Sequence, residues 1–402
     1  MLNFTTLPPL SLYIHYPWCA QKCPYCDFNS HAVPCGSKQR NDQQRDEQYV
    51  TALISDLEQE LPDIWGRTIQ SIFIGGGTPS LIQPEAMHHL LSQINARLKV
   101  SPMAEITMEA NPGTVDQLKF AEFRSAGINR LSMGIQSFDD QLLEKIGRIH
   151  NGQQARQAIE RAQQAGFDNI NLDLMYALPG QTLESAVDDI QQAIAFETTH
   201  LSHYQLTLEP NTLFASQPPR LPDDDLSYEM QRQCQHLLAD ADFQHYEVSA
   251  YAKAGKQCAH NLNYWQFGDY LGIGAGAHGK ISDAAQQTIT RRWKVKHPQS
   301  YLNGFLLAEG SLLAEDSLSA MIGGEQQLSR HDIGFEFMLN ASRLTGGFDS
   351  ELFYQHTGLP ITQIEAGLKQ AVELGLIEWH LHHIKPTERG LQYLNELQAI
   401  FL

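Results

Sequence analysis

The feature that most narrows the fold is a regular exchange of two periodicities along the first half of the chain. Six short β-rich runs, Ser11 to Trp18, Ser71 to Gly76, Glu105 to Pro112, Arg130 to Ser137, Ile170 to Leu178 and His200 to Leu208, are each followed by a stretch with helical spacing. Between the first two, Tyr49, Val50, Leu53, Ile54, Leu57 and Leu61 form one apolar stripe able to cover a sheet. Similar helices fit Glu85 to Leu98, Val115 to Ala126, Gln153 to Ala165 and Leu183 to Phe196, and Thr114 and Gln117 have capping-box spacing. Parallel neighbours need a crossover of roughly a dozen residues, so this repetition builds parallel sheet, as a partial barrel or an open doubly wound sheet. The partial (β/α)6 barrel is the expectation, an α/β fold.

At 402 residues and 42% hydrophobic content the chain exceeds what one core fills, roughly 250–300 residues, so a second unit is expected. The first is read as residues 1–285. The second, 298–402, is mostly helical, with a helix over Thr362 to Gly375, a strand pair over Leu376 to Ile384 and a helix from Thr387, an arrangement resembling a winged helix. Acidic residues outnumber basic ones across it and the whole chain carries −18, which removes the electrostatic footprint of nucleic-acid binding. Packing or partner binding is the expected role. No apolar run reaches the roughly 18–20 residues of a membrane span and Met1 to Leu10 lacks a secretory pattern, so the expected location is the cytoplasm.

Six cysteines in a chain read as cytoplasmic favour metal or redox chemistry over disulfides. Cys19, Cys23 and Cys26 follow the first strand directly, at the end where barrels place their sites. Three thiolates are one short of a closed four-ligand site and imply an open metal position; a zinc-stabilised loop, or a closed cluster completed by Cys35, are the alternatives. Cys234 and Cys258 lie far away.

Polar residues recur at the same ends of later strands. Gly76, Gly77 and Thr78 follow the second, Glu109 ends the third, Gln136 ends the fourth and Asp173 lies in the fifth. Glycines admit a ligand close to the backbone, carboxylates suit cationic groups or hydroxyls of a ligand, and Arg148 offers a fork for a carboxylate.

The Cys-x3-Cys-x2-Cys spacing resembles that of the radical S-adenosylmethionine family. That resemblance implies a [4Fe–4S] cluster whose fourth iron is chelated by S-adenosylmethionine. Tyr13 to Cys19, Cys23 to Phe28, Gly75 to Pro79, Glu109 to Pro112, Met133 to Phe138 and Asp173 to Tyr176 resemble the oxygen-independent coproporphyrinogen oxidase group within it. By this likeness the cofactor pocket comprises Tyr13, Tyr25, Gly76, Gly77, Thr78, Glu109, Gln136, Arg148 and Asp173, with Thr207 and His278 as additions. The oxidases carry a further cysteine where this chain has Phe28.

Phe28, with His260-Asn261-Leu262-Asn263-Tyr264-Trp265, resembles instead the sister branch of heme chaperones, the HemW group. The resemblance implies a carrier that binds heme through His260 and hands it to an acceptor protein, with Tyr264 and Trp265 against the macrocycle. From spacing alone His260 reads rather as a hydrogen-bonded core histidine, a balance the resemblance reverses, and Cys258 is a rival ligand. The alternative function is a radical oxidase decarboxylating a porphyrinogen; a third is a structural or electron-transferring cluster. No catalytic residue is assigned, and monomer and homodimer both stay open.

Overall fold

The computed structural model describes residues 2–33, 39–114, 117–310 and 319–402. Strands β1 (Leu10–Tyr16), β2 (Thr68–Gly76), β3 (Lys99–Ala110), β4 (Arg130–Gln136), β5 (Ile170–Tyr176) and β6 (His200–Gln205) pair in parallel, in the order in which the chain makes them. Helices α1 (Gln39–Glu60), α2 (Pro84–Arg97), α3 (Gln117–Ala126), α4 (Asp140–Lys145), α5 (Gly152–Gln164), α6 (Leu183–Ala195) and α7 (Asp224–Asp240) supply the crossovers. The Thr114 and Gln117 side chains of the expected capping box lie outside the described residues.

Alternation along each strand separates two faces. Leu12, Ile14, Ile72, Ile74, Leu131, Met133, Leu172 and Leu174 join one apolar cluster with Tyr49, Leu53, Leu90, Phe120 and Ile159 of the helices. Fully burying a Leu or Ile contributes about 1.5–3 kcal/mol, so this face holds the layers together. The opposite parity carries Ser11, Ser71, Thr107, Ser132, Asn171 and His200, all buried. Parallel strands are more commonly apolar on both faces. Here the inner face is a polar bore whose groups must find partners within it.

The sheet runs on beyond these six strands, through β7 (Gln244–Glu247), β8 (Ala250–Ala252), β9 (Asp269–Ile273), β10 (His278–Asp283), β11 (Thr288–Lys294) and β12 (Ile322–Gln327). Its order is β12-β11-β10-β9-β1-β2-β3-β4-β5-β6-β8-β7, with β9 parallel to β1 and antiparallel additions at both sides. Its two edges, β12 and β7, are not paired with each other among the described residues, so the barrel is partial. The boundary expected at residue 285 falls inside this sheet: β11 and β12 extend it to Gln327. β11 reads poorly as a strand because Arg291, Arg292 and Lys294 interrupt its apolar pattern, and ion pairs rather than apolar burial hold it.

After α8 (Ala259–Trp265) and α9 (Pro298–Gly310), the remaining chain forms α10 (Arg330–Ala341), β13 (Phe348–Asp349), α11 (Ser350–Thr357), α12 (Glu365–Glu373), β14 (Ile377–His380) and β15 (His383–Pro386). The small sheet has the order β13-β15-β14: the expected strand pair is β14 and β15, and β13 adds a third strand that was not expected. Phe337, Phe353, Leu368 and Ile384 form its core together with Leu2 and Phe4. The start of the chain is therefore tied to the second unit, and the Asn3 amide donates to the Gly358 carbonyl at 2.9 Å.

Candidate functional site

At the C-terminal ends of β1 to β6 a cleft of ≈ 760 Å³ opens to solvent. Cys19 follows β1 in a two-residue parallel pairing of Trp18–Cys19 with His31–Ala32, which closes the loop carrying Cys23 and Cys26. The Cys26 amide donates to the Cys23 carbonyl at 3.1 Å, so these two thiols sit on one tight turn. All three cysteines line the cleft, and among the described residues no other cysteine and no histidine lines it. Nor does any set of three His, Cys, Asp or Glu among the described residues converge as a single ion requires. Cys35 lies outside the described residues.

The glycine loop lines the cleft and also packs against the end of the first strand. Gly77 and Thr78 donate backbone N–H bonds of 2.7 Å to the Tyr16 and Trp18 carbonyls. A Cβ on Gly77 would stand 2.5 Å from the Trp18 oxygen, and Gly76, at φ +114°, would bring one within 2.5 Å of the His15 ring. Glycine here lets the second loop press against the cysteine loop and fix it.

Glu109 and Asp173 face the cleft from β3 and β5. The Gly76 amide donates to Glu109 Oε2 at 3.0 Å, yet burial and the Asp173 charge push the Glu109 carboxyl up to about 7. Asp173 is also raised by burial, opposed by hydrogen bonds that include Asn171 Nδ2 at 2.8 Å and Ser132 Oγ at 3.1 Å. Gln136 takes a left-handed φ of 69° at the end of β4, and its Oε1 accepts from the Tyr204 hydroxyl at 2.7 Å. Arg148 donates to the Gly134 carbonyl at 2.5 Å and to Cys23 Sγ at 3.7 Å, while its Nε is buried with no protein acceptor. Burial lowers its pKa, but Tyr25 and Cys23 outweigh that and hold it charged. An orphaned guanidinium donor beside two carboxylates fits an amino-acid ligand with both charges, at the edge of the thiol loop.

Of the residues expected in the cofactor pocket, Tyr25, Gly76, Gly77, Thr78, Glu109, Gln136, Arg148 and Asp173 line the cleft. Tyr13 does not. Its hydroxyl meets His15 Nδ1 at 3.0 Å and its ring lies 6.3 Å from Phe73, deeper in the bore. Thr207 turns away to Glu209, and His278 stands outside against Trp293. Ser132 and Tyr204 line the cleft without having been anticipated. Their signal was parity: Ser132, Gly134 and Gln136 share one face of β4, as Ser202 and Tyr204 share one face of β6.

His260 is on α8 at the opposite end of the bore. Its Nδ1 meets Ser71 Oγ at 3.3 Å, its ring lies 5.1 Å from Phe73, and it is 8% exposed. The Phe73 ring stands between this imidazole and the glycine loop, reaching within 2.9 Å of where a Cβ on Gly75 would be. Burial, then Arg130, lowers its pKa to about 3. Tyr264 and Trp265 turn toward Tyr270 and Arg343, and the Trp265 Nε1 is buried without an acceptor. In this structure the hexapeptide is a plug between the barrel floor and the second unit.

The profile described as the Radical SAM superfamily matches residues 13–193, and that of the HemN C-terminal domain matches 328–393. The chain is 47% identical to heme chaperone HemW of Haemophilus influenzae over 98% of both chains. It is 46% identical to heme chaperone HemW of Escherichia coli, over 98% of this chain and 99% of that one, and 35% identical to that of Bacillus subtilis over the same shares. The structure of coproporphyrinogen III oxidase (HemN) from Escherichia coli superposes with a TM-score of 0.79 at 22% identity, covering 98% of this chain and 90% of that one, which shows a shared fold. Cysteine loop, strand-end polar set and near-complete overlap with these relatives agree, and the chain belongs to the HemW family of the radical SAM superfamily.

Proposed function

We propose that this protein is a cytoplasmic heme chaperone that binds heme and passes it to an acceptor protein, and that it holds a [4Fe–4S] cluster on Cys19, Cys23 and Cys26 with S-adenosylmethionine in the cleft. The observation that carries the reading is similarity along the whole chain to relatives named heme chaperones. When bound, a reduced cluster would supply one electron to the sulfonium of the ligand held beside it. The chain's own residues do the holding. Arg148 takes the ligand's carboxylate and sets positive charge against the Cys23 thiolate, Glu109 and Asp173 take its ammonium and hydroxyls, and Gln136, steadied by Tyr204, bounds the pocket. Phe28, 60% exposed at the cleft, adds an apolar face where a fourth thiolate would offer a ligand.

His260, the imidazole proposed to ligate the heme iron, lies buried against Ser71 and Phe73 on α8. The oxidase reading draws on the same retained pocket. To separate the two, the anaerobically reconstituted protein is loaded with hemin, mixed with a heme-free globin, and in parallel incubated with reductant, S-adenosylmethionine and coproporphyrinogen. Transfer of the Soret band without a vinyl product is expected. Vinyl product would make it an oxidase, and failure to bind hemin would remove the chaperone reading.

A further inference from the structure

Beneath the cleft, a row of polar side chains crosses three neighbouring strands on the inner face of the barrel. Register sets the row: Ser132 of β4 is opposite Asn171 of β5, and Asn171 is opposite His200 of β6, while two residues on, toward the cleft, Asp173 is opposite Ser202. Ser132 and Asp173 line the cleft, and Asn171 and His200 are buried below them. The hydrogen bonds of the row run in one sense. Asn171 Nδ2 donates to Asp173 Oδ1 and to Ser132 Oγ, both at 2.8 Å, and Ser132 Oγ donates to Asp173 Oδ2 at 3.1 Å. With both N–H groups of the amide engaged, its Oδ1 is the acceptor, so His200 Nδ1 donates to it, at 2.6 Å. The ring then accepts at Nε2, where the Tyr246 hydroxyl donates at 2.8 Å, and that hydroxyl accepts from the Cys258 amide at 3.3 Å. Burial, then Arg130, lowers the His200 pKa well below the usual imidazole value, which keeps one ring nitrogen a donor and the other an acceptor.

We propose that His200 is a positioning residue for the ligand of the cleft: it fixes the Asn171 amide, which in turn aims the Asp173 carboxylate. The inference rests on the cofactor reading above and adds to it a side chain that touches no ligand. Were the amide turned over, Asn171 Oδ1 would face Asp173 Oδ1 with no hydrogen between them, and the carboxylate would lose its hold on one side. The His200 Nδ1–H group forbids that state, because it would then meet an N–H. Ser202 Oγ also donates to Asn171 Oδ1, at 3.1 Å, but a hydroxyl serves as donor or acceptor and accepts either orientation. An imidazole whose Nε2 is taken by Tyr246 has no such choice. A carboxylate whose rotation is set beforehand binds a cation or hydroxyl without the cost of ordering it on arrival.

S-adenosylmethionine affinity is measured by calorimetry on the anaerobically reconstituted wild type, His200→Gln, His200→Asn, Asn171→Leu and the double variant Asn171→Leu/His200→Gln, with a urea midpoint for each. In His200→Gln the side chain still reaches Tyr246 but puts no donor at the Nδ1 position; in His200→Asn the reverse holds. His200→Gln should weaken binding by about tenfold, and His200→Asn should recover it to within about threefold of the wild type, whatever their midpoints. Asn171→Leu should lose as much as His200→Gln, and the double variant should lose no more than either, because the two residues act in series. Equal affinity in His200→Gln and His200→Asn, or full additivity in the double variant, makes His200 a packing residue and overturns the proposal while the cofactor reading stands. Should His200→Gln not fold, Asn171→Leu decides: unchanged affinity there overturns the proposal as well. A wild type that carries its cluster and binds no S-adenosylmethionine sinks both.

Discussion

Burial and the neighbouring Asp173 hold Glu109 protonated up to about pH 7, although the Gly76 amide favours its anion. A cationic ligand beside it must draw that proton off, so binding releases a proton while pH is below about 7. S-adenosylmethionine affinity is therefore expected to rise with pH between 6 and 7, by at most about tenfold per unit, and to level above it. Glu109→Gln should bind more weakly and show no such slope; calorimetry across the pH series, in buffers of differing ionisation enthalpy, measures both. The sign for stability is opposite. Because the folded pKa exceeds the unfolded value of 4.5, the native state holds more protons between the two, and Glu109 makes folding less favourable as pH rises through that window. At this scale the sequence was legible where chemistry sits at a strand end, as for Glu109, Gln136 and Asp173. Tyr13 lies below the cleft lining, and a motif says nothing of depth in the bore.

Parity explains more at the level of elements than propensity does. Barrel strands largely alternate apolar outer residues with polar inner ones, Tyr13 and Phe73 being aromatic exceptions, so the parallel sheet and the strand-end polar set could be read from sequence alone. What could not be read are contacts in which a helix fixes a loop of another unit. Asp189 on α6 is one: its carboxylate accepts from Ser137 Oγ and from the Phe138 amide, both at 2.7 Å, directly after left-handed Gln136. Burial raises its pKa to about 7 against those two bonds. Asp189→Ala orphans a buried amide and a hydroxyl, at about 1–3 kcal/mol for each group left unsatisfied. We expect a lower urea midpoint together with weaker S-adenosylmethionine binding, because Gln136 loses the turn that aims it. A lower midpoint with unchanged affinity would show that the turn is held by other contacts. β11 escaped the sequence reading for a related reason: its residues are chosen for ion pairs across elements, which no local pattern reveals.

Those ion pairs organise the molecule as a whole. Lys294 on β11 places its Nζ 2.5 Å from both Asp56 and Glu60 of α1. Asp56 also accepts from the Tyr301 hydroxyl at 2.7 Å and the Gly274 amide at 3.0 Å, and Glu60 meets Arg292. One buried network thus fastens the first helix of the barrel to β9, β11 and α9, which carry the segments whose Ala275 and Lys296 carbonyls accept from Asn29 Nδ2 beside the cysteine loop. Burial lowers the Lys294 pKa, but Asp56 and Glu60 outweigh it and the net shift is upward. Its contribution is therefore complete below the unfolded value of 10.5 and is lost only as pH climbs through the raised value. Lys294→Met keeps the bulk and leaves the buried Asp56 carboxylate without its cation, while Glu60 keeps Arg292, a loss of about 3–5 kcal/mol at pH 7. Urea unfolding of the metal-free protein measures it. If the added strands are only an ornament on the barrel edge, their melting should separate from that of the six parallel strands and leave the main transition in place. If the network makes them part of one cooperative body, the whole transition moves, and cysteine-loop protection from thiol reagents falls with it. The position of Asn29 between the two regions favours the second outcome.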